Sequence, residues 1–257
     1  MITQATLKMF AIVCPAVFMA GFIDAIAGGG GMVSLPAYLF SGVTSHNSIA
    51  TNKMSSAIGT AVSTYRFCKN GYVDYIFAIP TVICSLIGSV IGARLALLAG
   101  DMVLKIFLLI TLPIVAFLVF RNKEFTPEKK RELKRSTLFI LGSILSFIIG
   151  IYDGFYGPGT GTFSMLAFTL ILGFDVKTAA GNVKLCNLAS NIAALIVFLI
   201  HKEVIIVLGL VAGVFSIAGH YTGASMVMKK GVKVVRPIIL TVITLLYIKI
   251  VYEAFIK

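Results

Sequence analysis

Two lysines, Lys53 and Lys184, stand inside stretches that otherwise read as membrane-embedded, and each is bordered by amides and hydroxyls. A buried ammonium is costly and usually has a partner or a task. Asn52, Ser55 and Ser56 surround the first lysine. Asn182, Asn187, Ser190 and Asn191 surround the second. Such groups hydrogen-bond a polyoxyanion well. The alternative is that each lysine lies near a helix start and snorkels to the surface.

Two carboxylates accompany them. Asp24 and Asp153 each sit four residues before a glycine-rich break, Gly28-Gly29-Gly30-Gly31 and Gly157-Pro158-Gly159-Thr160-Gly161. Glycine and proline end helices. The helix that follows a break presents its first N–H groups and a partial positive charge, a ready site for an anion. Three readings stand for the carboxylates: proton coupling, salt partners for the lysines, or acceptors for backbone N–H groups in the breaks. Tyr152 and Tyr156 flank the second break as hydroxyl donors or packing aromatics.

Other chemistries fail on specifics. No Gly-Lys-Ser/Thr follows either break, so neither is a nucleotide loop. His46, His201 and His220 lack metal spacing, and His220, on an apolar helix, reads as a hydrogen-bonded packing residue. Asp24, Asp74, Asp101, Asp153 and Asp175 are scattered, so no metal or cofactor is expected. Gly223-Ala224-Ser225 with His220 supplies only fragments of an intramembrane serine protease.

The elements that must position these groups follow from composition. Of 257 residues, 58% are hydrophobic and 12% charged, and the mean hydropathy is +1.00. A soluble domain of this size cannot hide so much apolar surface. A soluble enzyme, a disordered chain, a disulfide scaffold and a nucleic-acid module are excluded, leaving an all-α polytopic membrane protein in contact with the lipid bilayer. The net charge of +12 reads mainly as topology-setting loops. Cys14, Cys68, Cys84 and Cys186 read as small hydrophobes. Residues 1–257 are read as mature, because Asp24 interrupts the one run that resembles a signal peptide.

Apolar stretches fall at 9–27, 75–98, 102–120, 137–156, 178–200, 204–228 and 232–252. Residues 49–67 are similar in length but rich in small and hydroxyl side chains, which suits a helix packed inside a bundle. Segments 32–44 and 160–173 are short and follow the breaks.

The chain also repeats itself. Beyond the matched breaks, Lys53-Met54-Ser55-Ser56 aligns with Lys184-Leu185-Cys186-Asn187, and Gly88, Gly92 and Ala93 align with Gly219, Gly223 and Ala224. Two homologous halves, 1–120 and 137–257, are expected around a basic linker, 121–136. Seven basic residues make that linker cytoplasmic.

If the short segments only dip in and return, each half crosses four times and the halves are parallel. If they complete a crossing, each half crosses five times and the halves are inverted. The inverted count obeys the charge rule better. Its weakness is that 13 helical residues rise only about 20 Å against a hydrocarbon core of about 30 Å.

Gly21-x2-Asp24 with Gly28–Gly31 and Asn52-Lys53 resembles the first half of the TauE/SafE sulfite exporter family, also called the toluene-sulfonate uptake permease group. Gly150-x2-Asp153-Gly154, Gly157-Pro158-Gly159-Thr160-Gly161 and Lys184-Leu185-Cys186-Asn187-Leu188-Ala189-Ser190-Asn191 resemble its second half. The resemblance implies a multi-pass carrier of the bacterial inner membrane that exports small sulfur-containing anions such as sulfite or sulfonates.

The expected site comprises Gly28, Gly29, Gly30, Gly31, Asn52, Lys53, Ser56, Gly157, Gly159, Thr160, Gly161, Asn182, Lys184 and Asn187, with Asp24 and Asp153 as proton-coupling candidates. A non-transporting membrane subunit and an anion channel are the alternatives. Neither nucleic acid nor an enzymatic reaction is expected, and a homodimer is left open.

Overall fold

The computed structural model describes residues 6–104, 106–107, 110 and 133–230. Apolar run 102–120 and linker 121–136 lie mostly outside the described residues, and run 232–252 lies wholly outside.

The described chain is all helix and turn. Helices α1 (Leu7–Ala27), α2 (Gly31–Phe40), α3 (Ser45–Lys69) and α4 (Tyr75–Leu98) are followed by α5 (Arg135–Phe155). Then come α6 (Thr160–Leu166, continued by a wider π turn, Ala167–Ile171), α7 (Val176–Ile200) and α8 (Ile206–Lys230).

Local chemistry sets the boundaries. The Thr44 side chain caps α3 by accepting from the Asn47 N–H, and Asp175 caps α7 by accepting from Lys177 and Thr178. Gly28, Gly29, Gly157 and Gly159 all have positive φ, which ends α1 and α5 at the two breaks.

Five helices, α1, α4, α5, α7 and α8, are long and apolar enough to cross a membrane. The chain is a multi-pass membrane protein. Helix α3 has 25 residues but not the apolarity; its buried face carries Ser48, Thr51, Asn52, Lys53, Ser55, Thr60, Ser63 and Thr64. Outward faces are the reverse: Ile76, Ile79, Ile83 and Ile87 on α4, and Ile140, Ile144 and Ile148 on α5, are exposed at helical spacing. Lipid covers such a face.

Close glycine contacts fix the helix directions. A Cβ on Gly219 would meet Phe18 and Phe22, and one on Gly223 would meet Phe22 and Ala25, so α1 and α8 run parallel. Gly209 abuts Met54 and Gly213 abuts Ile58, so α3 runs parallel to α8 as well. On the other side Gly142 meets Phe77 and Thr81, Gly150 meets Ser85 and Gly154 meets Ser89, so α4 and α5 are parallel. Ser85 and Ser89 donate to the carbonyls of Cys186 and Ser190, which makes α7 parallel to α4. Lys53 reaches Asn191 while Thr64 reaches the Lys184 carbonyl, so α3 and α7 are antiparallel.

Because α1 and α3 point the same way, α2 must carry the chain back between them, and α6 does the same between α5 and α7. The length objection is met in an unexpected way. The first break lies inside the bundle, where a Cβ on Gly30 would press on the Ala20 carbonyl and Asp24. The return therefore starts at depth, and ten helical residues, rising about 15 Å, cover much of it.

Candidate functional site

The two breaks touch. Gly28 lies so close to Gly161 that a Cβ on either would sit 2.3–2.4 Å from the other's backbone. The Thr162 hydroxyl donates to the Gly28 carbonyl across the same contact. Gly31 faces Pro158. Only glycine permits this approach, which is why the two clusters occur in matching places.

Beside the crossing lies a cavity of about 40 Å³, several times the ~10–15 Å³ that one ordered water requires. Its wall includes Asp24, Gly29, Gly30, Gly31, Asn52, Lys53, Ser56, Asp153, Gly157, Thr160, Gly161 and Asn187. Twelve residues singled out from sequence are thus brought together. Gly28, Gly159, Asn182 and Lys184 are not on that wall. Gly28 is spent on the crossing, and Asn182 donates to the Thr178 carbonyl within its own helix.

The charged groups pair between distant parts of the chain. Lys53 Nζ lies 2.8 Å from Asp153 Oδ2 and donates to Asn191 Oδ1 at 3.1 Å. The Ser190 hydroxyl also donates to Asp153 Oδ2. Lys184 Nζ lies 2.6 Å from Asp24 Oδ2 and also donates to the Asp24 carbonyl. Asp24 Oδ1 accepts from the Gly29 N–H at 3.1 Å, so two of its three anticipated roles, salt partner and backbone acceptor, coexist. The start of α2 is therefore already faced by a carboxylate. Neither lysine snorkels, since each is only 2% exposed.

Sequence reasoning missed His220, Ser216, Ser34 and Gly21 on the cavity wall. His220 is buried and hydrogen-bonded, as expected, and its Nε2 lies 3.1 Å from Asp24 Oδ2. One signal was available. The residue after the aligned glycine is Ser89 in the first half and His220 in the second. Of the tyrosines, Tyr152 donates to the Pro158 carbonyl and Tyr156 packs edge-on to Phe107. Among the described residues, no cluster of His, Cys, Asp or Glu could hold a metal ion.

Residues 13–250 match the profile of the family described as sulfite exporter TauE/SafE. The chain belongs to the TauE/SafE family. This TauE/SafE protein is 36% identical over 245 residues to "Probable membrane transporter protein ORF9" of Sinorhizobium, covering 95% of the chain and 93% of that relative. It is 32% identical to a "Probable membrane transporter protein" of Haemophilus influenzae, covering 96% of each. It is 31% identical to "Probable membrane transporter protein YfcA" of Escherichia coli K12, covering 92% of the chain and 87% of the relative. No solved structure matches it. The protein is a membrane transporter of this family.

Proposed function

We propose that this transporter carries a small sulfur-containing anion, such as sulfite or a sulfonate, through the cavity at the crossed breaks. It does so without covalent chemistry, in the bacterial inner membrane and, by the family's name, outward. One observation carries the reading: the cavity wall holds a buried ammonium, Lys53, next to Asn52, whose buried side-chain oxygen has no hydrogen-bond partner. A buried polar atom without a partner asks for a water or a ligand. Turned over, that amide presents two N–H donors to an oxyanion. Ser56, Thr160, Asn187 and Asn191 complete a ring of short polar groups.

Opposite directions of α1 and α5, and the matched contacts of α1 with α8 and of α5 with α4, support two inverted repeats, 1–120 and 137–257, joined by a cytoplasmic linker. Rocking of one repeat against the other about the breaks then exposes the cavity to each side in turn.

Uptake by reconstituted liposomes tests the reading, with sulfite, sulfate, thiosulfate, methanesulfonate and a carboxylate as the panel. Saturable flux of sulfur oxyanions is expected, and it is lost in Lys53→Ala with Lys184→Ala while the protein still elutes as one species. Full flux in that double variant overturns the site.

A further inference from the structure

We propose that His220 is the proton-binding group of the transporter, and that an anion and one proton occupy the cavity together. This inference rests on the anion site described above. Three observations carry it: the hydrogen-bond geometry of the ring, the charge balance of the cavity, and the absence of a second such ring at the matching position.

Both ring nitrogens face acceptors. Nδ1 lies 2.9 Å from the Ser216 carbonyl oxygen, and Nε2 lies 3.1 Å from Asp24 Oδ2. A carbonyl and a carboxylate only accept, and a neutral imidazole has one N–H to offer. Bonding both therefore takes the doubly protonated ring. The neutral ring has an alternative: Thr60 Oγ1, 3.4 Å from Nε2, can turn its hydroxyl to donate there while Nδ1–H stays on Ser216. Asp24 does not need the ring, because Lys184 already holds the same oxygen at 2.6 Å. The pocket is thus built for two protonation states of one imidazole. Imidazole is the one side chain whose ordinary pKa lies between about pH 5 and 8.

The charge balance says what the proton is for. The charged groups facing the ring and its cavity are Asp24 from α1, Lys53 from α3, Asp153 from α5, and Lys184 from α7, which reaches Asp24. Thr60 and Ser216 are the neutral groups beside it. Two ammoniums and two carboxylates sum to zero. An anion entering this space adds an uncompensated negative charge in a low-dielectric wall, which is costly. An imidazolium restores the balance for a monoanion and halves the excess for a dianion. Both lysines are already committed to carboxylates, so neither supplies that charge alone.

The first half has no equivalent. At the matching position Ser89 donates to the Ser190 carbonyl, and Asp153 is held by Lys53 and Ser190. The coupling proton therefore belongs to one half only, and anion and proton move in the same direction. Outward flow then runs against the inward proton gradient and must be driven by a larger outward anion gradient.

The test is calorimetric titration of the purified full-length protein with methanesulfonate, sulfate or thiosulfate, whose charges are fixed over the range used. Repeating it in buffers of different ionisation enthalpy counts protons. The expected result is one proton taken up per anion above the imidazole range, with affinity falling about tenfold per pH unit. His220→Gln should bind with no proton uptake and a flat pH profile.

Anion binding by the wild type without proton uptake overturns the inference and leaves the site standing. That measurement needs no variant. Undiminished proton uptake in His220→Gln overturns it too, moving the proton to a carboxylate. If none of the three anions binds a monodisperse sample at any pH, the site reading fails and this inference fails with it.

Discussion

The two buried ion pairs occupy matching places and do different work. Lys53 and Asp153 are sealed, their side chains 2% and 7% exposed, and Asn191 and Ser190 each add one hydrogen bond to the pair. Lys184 and Asp24 are looser: the Asp24 side chain is 18% exposed, and a histidine and a backbone N–H share its oxygens. One pair is buried among neutral groups. The other keeps a partner that can gain or lose a proton. Under the repeat proposed above, the two lysines and two aspartates mark where charge sits, and Ser89 against His220 decides which pair can respond to pH.

The largest expected contrast comes from removing each ammonium singly. Breaking a sealed pair leaves an uncompensated buried charge and costs about 3–5 kcal/mol. Lys53→Ala should lose stability on that scale. Lys184→Ala should lose clearly less, because Asp24 keeps the Gly29 N–H, His220 and some solvent. Thermal unfolding followed by a thiol-reactive dye suits a chain without tryptophan, since Cys14 and Cys186 are buried. Equal losses would erase the distinction between the pairs.

A second, smaller contrast lies one layer out. Gly59 and Ser190 occupy matching positions in α3 and α7. A Cβ on Gly59 would lie 2.1 Å from Ser216 Oγ and 2.5 Å from His220 Nδ1. Gly59→Ala should cost about 1–3 kcal/mol by overpacking and flatten the pH dependence of anion binding. Ser190→Ala should cost about 1–3 kcal/mol by depriving Asp153 of a donor and leave the pH dependence in place. If both variants flatten it, the proton is not confined to one half.

The smallest effect should show no contrast at all. Thr44→Ala and Asp175→Ala each remove the side-chain cap of the helix that bears a lysine. Each should cost about 1 kcal/mol, with anion affinity unchanged in both. A large difference between them would mean that the asymmetry reaches the bundle ends.

Much of this was legible without coordinates. Composition gave the membrane class, and the matched glycines with Lys53 pointed to residues that the fold gathers around one cavity, because such residues have few reasons to recur in apolar sequence. Polar composition marked α3 as an inner helix before any contact was known. Three features were not legible. The depth of the breaks depends on Gly30 meeting Ala20, a contact between residues that only the fold brings together. Withdrawal of Lys184 from the cavity depends on Asp24 reaching it first. The role of His220 depends on Gly21 and Gly59 leaving room for its ring, so a lone histidine on an apolar helix looked like packing.

The contact between Gly28 and Gly161 has a mechanical consequence. Backbones that meet with no side chain between them have no slack for sliding, so any motion that preserves the contact must turn about it. In the rocking motion proposed above, the crossing would act as a fulcrum with an arm on each side. Widening the gap at one end narrows it at the other, and an occupant beside the pivot is never open to both ends at once.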